Sequence, residues 1–126
     1  MFCHNRIEVE SGEAPTGRNG HSFTPVSADS SSKLAVIFGG TEGGISPFND
    51  AHVATINTMS VKYQSVGAQD SEPVADKREG HVAVYVESIN SVIVFGGSIG
   101  TSYLSDTWSL NLSLKPKAVT GCCAIM

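Results

Sequence analysis

One pattern occurs twice in this chain, and that repetition constrains the fold more than any single residue does. Arg18-Asn19-Gly20-His21 returns 60 residues later as Arg78-Glu79-Gly80-His81. Val36-Ile37-Phe38-Gly39-Gly40 returns as Val92-Ile93-Val94-Phe95-Gly96-Gly97, with the glycine pair shifted by 57, and Asp50 returns as Asp106, shifted by 56. Three landmarks that keep their order and nearly their spacing describe two copies of one structural unit, so the fold of the chain is the fold of that unit and its neighbour.

Within each copy the apolar pattern is that of short strands. His81–Val86 is β-branched at alternate positions, and its counterpart His21–Val26 carries Pro25, which removes one ladder donor and predicts a weaker strand. Leu34–Phe38 and Val92–Phe95 are apolar on both faces, as central strands covered on two sides are, and each stops at a glycine pair. Third strands follow the aspartates, over Ala51–Ile56 and Thr107–Leu112. A fourth is predicted in the first copy at Val61–Val66 and has no clear counterpart in the second, where Pro116 and two lysines resemble the end of a domain. Arg6–Val9 reads as the last strand of a preceding unit, because the stretch from it to Pro15 repeats the layout of Tyr63 to Pro73. Thirteen glycines and few helix-favouring runs agree with an all-β class of eight short strands and almost no helix.

Charge and composition narrow the function classes. Twelve acidic against eight basic side chains leave a net charge of -4, so the chain offers no broad positive field and nucleic acid is not an expected partner. The longest apolar runs fall far short of the roughly 20 residues that a helix needs to cross a bilayer. The start of the chain lacks the apolar stretch of a signal peptide, and its three cysteines are too few for a disulfide framework, so a reducing, cytoplasmic setting is expected.

These residues resemble the kelch repeat, whose pattern is an Arg-x-Gly-His lead-in, a strand ending in Gly-Gly, a turn at Asp and two further strands. The resemblance covers residues 6–112 and implies an incomplete kelch β-propeller, about two four-stranded blades of antiparallel sheet. The expected organisation is a kelch region over 1–114, with blade pieces 5–9, 18–66 and 78–112, followed by a flexible tail over 115–126. The aromatic that the family favours in the third strand aligns with His52 and Trp108, and the one in the fourth strand aligns with Tyr63 in the first copy alone. Propellers close with roughly four to eight blades, so two blades imply further blades in a longer chain or oligomer. The implied function is non-catalytic: a protein–protein interaction module with a protein partner. The alternatives are a lipid-anchored peripheral adaptor or a piece of a propeller enzyme.

The candidate residues divide into repeat residues and a tail motif. His21 and His81 recur at one place per unit, which favours a structural polar anchor over a metal or acid–base pair; His4 and His52 stand elsewhere in the repeat, so no metal-ligand set is expected. Gly39-Gly40-Thr41-Glu42-Gly43-Gly44 lacks the Lys-Ser or Lys-Thr of a phosphate loop, and Glu42 would repel phosphate, so a turn is expected and no cofactor. Gly39, Gly40, Gly96 and Gly97 are expected in tight geometry, and Asp50 and Asp106 to accept hydrogen bonds from backbone amides of a turn. Arg18 and Arg78 either face a partner or pair within their own unit. The ending Cys123-Ala124-Ile125-Met126 matches a prenylation box, and Cys122 is a candidate second lipid site. A membrane surface is therefore a further possible partner.

Overall fold

A computed structural model describes residues 3–26, 33–67 and 73–112. It is all-β, as the sequence implies. In chain order the strands are β1 (Glu8–Ser11), β2 (Ser22–Val26), β3 (Lys33–Phe38), β4 (Thr41–Glu42), β5 (Ser46–Pro47), β6 (Ala51–Ile56) and β7 (Ser60–Val66), then β8 (Val82–Val86), β9 (Ser91–Phe95), β10 (Ser98–Ile99), β11 (Ser102–Tyr103) and β12 (Thr107–Asn111). The sole helical element among the described residues is a three-residue 3₁₀ turn, Glu87–Ile89, between β8 and β9. Asn90 closes that turn at φ 48°, a left-handed conformation that asparagine tolerates, and its Oδ1 accepts a hydrogen bond from the Tyr85 hydroxyl at 2.8 Å.

The first unit is a sheet of order β1-β7-β6-β3-β2, and the second is a sheet of order β12-β9-β8. Pro25 stands on β2, an edge strand, where its missing donor interrupts no second ladder. Glu8–Ser11, expected as the last strand of a preceding unit, joins the sheet of the first unit: it lies parallel to β7, with Glu8 opposite Ser60 and Val9 opposite Val61. The physical reason is that β7 would otherwise present an unpaired edge. A hydrogen bond from Ser60 Oγ to Glu10 Oε1 at 2.9 Å fixes the pairing. One sheet therefore has five strands and the other three, with one parallel pair in an otherwise antiparallel architecture.

Strand register decides which side chains share a face. Cross-strand partners Val26/Leu34, Thr24/Val36 and Ser22/Phe38 continue through Val53 and Ala51 onto one face of the first sheet. Ala83/Val94, Tyr85/Val92, Trp108 and Leu110 form one face of the second. These two faces meet in a common core built from Val36, Phe38, Val53, Val92 and Val94 together with Ala75 and Leu112. Each large aliphatic or aromatic side chain removed from water there contributes roughly 1.5–3 kcal/mol. The units are thus stacked face to face, as consecutive propeller blades are. The opposite face of the second sheet is not covered by any of the described residues: Val82, Val84 and Phe95 are 65%, 58% and 49% exposed.

Candidate functional site

The repeat residues assemble into two clamps of the same design. In the first unit Arg18 Nη1 donates to Asp50 Oδ1 at 2.6 Å and to the Gly39 carbonyl at 3.0 Å, while Nη2 donates to Asp50 Oδ2 at 3.1 Å. In the second, Arg78 Nη1 donates to Asp106 Oδ1 at 2.8 Å and to the Gly96 carbonyl at 2.9 Å, and Nη2 to Asp106 Oδ2 at 2.9 Å. A bidentate guanidinium–carboxylate pair fixes both distance and plane, so each clamp ties the lead-in turn to the end of the central strand and the start of the third strand. Of the two roles open to the arginines, both adopt pairing within their own unit. The aspartates accept chiefly from these guanidinium groups, where turn amides were expected; a backbone hydrogen bond contributes as well at Asp106.

A third member completes each clamp. His52 Nε2 lies 2.9 Å from Asp50 Oδ2, and Trp108 Nε1 donates to Asp106 Oδ2 at 2.7 Å. Histidine and tryptophan share a ring N–H at that reach, which explains how one position holds both. Burial works to raise the Asp50 pKa, but hydrogen bonds from Arg18 and His52 outweigh it and hold the carboxyl below its usual range. The Arg78 and Trp108 hydrogen bonds hold Asp106 far below it. Arg18 also stacks over Phe48, 4.3 Å from the ring centre.

The glycine pair of the first unit receives the second unit. Gly39 and Gly40 have φ of 67° and 94°, and a Cβ on Gly39 would stand 2.8 Å from both the Arg78 carbonyl oxygen and the His81 Cε1. Three backbone hydrogen bonds cross at this point: Gly40 N–H to Arg78 O at 2.9 Å, Arg78 N–H to Phe48 O at 3.1 Å, and Gly80 N–H to Gly20 O at 2.8 Å. His81 is buried, sits edge-on to Phe38 with ring centres 5.4 Å apart, and pairs through Nε2 with Ser22 Oγ at 2.9 Å. Burial lowers its pKa below the ordinary 6.5, and the Arg78 charge lowers it further. The Arg78–His81 turn is therefore a plug seated in a socket made by the first unit.

The second glycine pair, Gly96 and Gly97, carries the same left-handed conformation but is packed by its own unit, where a Cβ on Gly97 would stand 2.7 Å from the Glu79 carbonyl oxygen. A Cβ on Gly96 would meet only the Leu104 carbonyl oxygen, at 3.4 Å. His21, the counterpart of His81, is exposed. The result is an open groove of about 400 Å³ bounded by Gly80, Val82, Phe95, Gly97, Tyr103 and Leu104. Sequence reasoning missed Val82, Val84 and Tyr103 as surface residues, because alternation marks two faces without saying which one lacks a neighbour. The stretch from Thr41 to Pro47 forms a small hairpin of β4 and β5, with Gly43 and Gly44 between its strands. Among the described residues no group of three or more His, Cys, Asp or Glu is placed to hold a metal ion. Cys122, Cys123 and the whole expected tail lie outside the described residues.

Comparison with known proteins agrees with this geometry. The kelch-repeats domain described as KLHDC2/KLHL20/DRC7 matches residues 4–119. The chain is also 32% identical over 110 residues to acyl-CoA-binding domain-containing protein 5 of Arabidopsis thaliana; the match covers 87% of the chain and 15% of that much longer protein. Repeated landmarks, paired clamps, stacked sheets and the matched domain carry one conclusion: the chain belongs to the kelch-repeat family.

Proposed function

We propose that this chain is a binding module for protein rather than an enzyme, and that its contact surface is the open face of the second sheet. The observation that carries this reading is the gathering of Val82, Val84 and Phe95 on one face, beside Tyr103 at 90% exposure. Scattered apolar residues are ordinary on a surface, whereas a contiguous patch beside a groove is the mark of a contact site. Kelch repeats are interaction modules in general, which supports the same reading. The test places a photo-crosslinking side chain at position 84 and, as a control, at position 59, where exposed Met59 lies in the connection between β6 and β7. Protein adducts should form from position 84 in excess of position 59; equal yields from both would remove the reading.

The tail supports a second role compatible with the first. Farnesylation of Cys123, with palmitoylation of Cys122, would carry the module to a membrane surface from the cytoplasm, since a single lipid holds a protein there only marginally. Mass spectrometry of the intact protein from cells with farnesyltransferase should show an adduct that Cys123→Ser removes and Cys122→Ser keeps. An unmodified Cys123 in such cells contradicts it.

A further inference from the structure

We propose that Thr16 is a phosphorylation site whose phosphate is held by Arg18, a regulatory mark that stands independently of the binding-module reading. What carries it is a difference between two otherwise matching clamps. A guanidinium has five N–H donors, arranged so that two of its edges can each act as a fork. In both units the Nη1/Nη2 fork grips the aspartate, and Nε donates to the backbone carbonyl two residues earlier, Thr16 O and Asp76 O, each at 3.1 Å. Among the described residues only the first unit adds a side chain to the Nε/Nη2 edge: Arg18 Nη2 donates to the Thr16 hydroxyl at 3.3 Å. A neutral bond of that length is weak, so this edge of the guanidinium is occupied without being satisfied.

The position is both reachable and tolerant of charge. Thr16 is exposed and lies in the stretch 13–18, which belongs to no strand or helix, the kind of segment a kinase cleft can take up. Its exposure does not depend on what lies beside the first unit. Asp76, its counterpart, stays exposed even where Arg78 is fully buried at the contact between the units. Asp76 also shows that the repeat accepts a negative charge here, so the second unit carries as a fixed carboxylate what the first gains by modification. In the transfer, Thr16 Oγ1 attacks the γ-phosphorus of a nucleoside triphosphate bound to a protein kinase. The Oγ1–P bond forms, the bond to the β-phosphate oxygen breaks, the hydroxyl proton passes to a base of the kinase, and the nucleoside diphosphate leaves. The phosphate brings three acceptor oxygens, two bonds beyond Oγ1, to the Nε and Nη2 hydrogens, and charge-assisted bonds replace the long neutral one. Asp50 keeps the other fork and its bond to His52. It is also the like charge that shares the guanidinium with the phosphate, and its 39% exposure lets water screen that repulsion. The clamp therefore stays closed while the lead-in segment is tied to it.

The test uses the full chain with phosphothreonine installed at position 16 by genetic-code expansion and, as a control, at position 58, where exposed Thr58 lies in the connection between β6 and β7. In a phosphorus NMR titration the second ionisation of the phosphate at position 58 should fall near its ordinary value of about 6, and that at position 16 about half a unit or more lower, because Arg18 favours the dianion. The Arg18 Nε–H resonance should shift when position 16 is phosphorylated and the Arg78 Nε–H resonance should stay, which separates capture by one guanidinium from a general change of charge. Equal ionisation at the two positions, or an unmoved Arg18 resonance, overturns the proposal. The acceptor role is read by incubating the unmodified chain with ATP and a eukaryotic cytosolic extract and mapping phosphate by mass spectrometry. Phosphate should appear on the Thr16 peptide of the parent and be absent from that peptide in Thr16→Val, which removes the hydroxyl and keeps the backbone carbonyl that Nε uses. A Thr16 that stays unmodified in the extract overturns the proposal even where Arg18 captures an installed phosphate.

Discussion

The two central strands end in the same words, Phe-Gly-Gly, and differ in almost every physical respect. Phe38 is 2% exposed against the His81 ring, whereas Phe95 is half exposed over an open groove. Gly40 donates to the neighbouring unit, and Gly97, in the same conformation, has no backbone acceptor among the described residues. The lesson is that a repeat motif specifies half of an interface. Its energetic weight comes from the copy that follows, so identical residues are core in one unit and surface in the next.

The largest separation between the units should appear at the phenylalanines. Phe38→Ala removes a buried ring between the sheets and should cost about 3–5 kcal/mol, whereas Phe95→Ala should cost about 1 kcal/mol or less because its ring is already half in water. Urea unfolding of both variants measures the difference, and equal losses would break the comparison. A smaller gap is expected at the glycines. Gly39→Ala and Gly96→Ala each force a left-handed alanine, about 1–2 kcal/mol, but only Gly39→Ala also drives a methyl into the Arg78 carbonyl and the His81 ring, adding about 1–3 kcal/mol. Thermal melts should rank them in that order, and Gly96→Ala as the more damaging would contradict the packing described.

The smallest effect is a slope. The folded state lowers the His81 pKa, so it favours the neutral ring, and the unfolded state binds the proton more readily. Stability from this site is complete above the ordinary value of 6.5 and is lost as pH falls below it. Unfolding curves between pH 7.5 and 5.5, a range chosen about one unit either side of that value, should show stability declining with acid, and His81→Gln should flatten the decline. The aspartates of the clamps act lower, where carboxylates protonate, because Arg78 and Trp108 on Asp106, and Arg18 and His52 on Asp50, keep both ionised.

Much of this architecture is legible in residue order, and the limits are instructive. The repeat, the alternation in Val82–Val86 and the glycine stops place the long strands of both units, because strand period and left-handed turns are local properties. The clamps were half legible: the spacing of Arg18 and Asp50 repeats, but only packing shows that the guanidinium turns inward to the carboxylate. What His52 and Trp108 have in common, a ring N–H aimed at an aspartate, is invisible to any scale of hydrophobicity. The parallel seat of Glu8–Ser11 on β7 was not legible, since edge pairing depends on which edge is left unfilled. Nor does sequence say that His81 is buried and His21 exposed, because the difference lies in how the two described units pack against each other.

The first glycine pair is a filled socket and the second, among the described residues, an unfilled copy of it. Amide hydrogen exchange at Gly40 and Gly97, followed by nuclear magnetic resonance in dilute solution, distinguishes the two. The Gly40 amide, bonded to Arg78 O, should exchange as slowly as the core amides of β9, opening only when the units separate, and the Gly97 amide should exchange close to the rate of an unstructured peptide. Equal protection at the two glycines, or a fast Gly40, would contradict the claim.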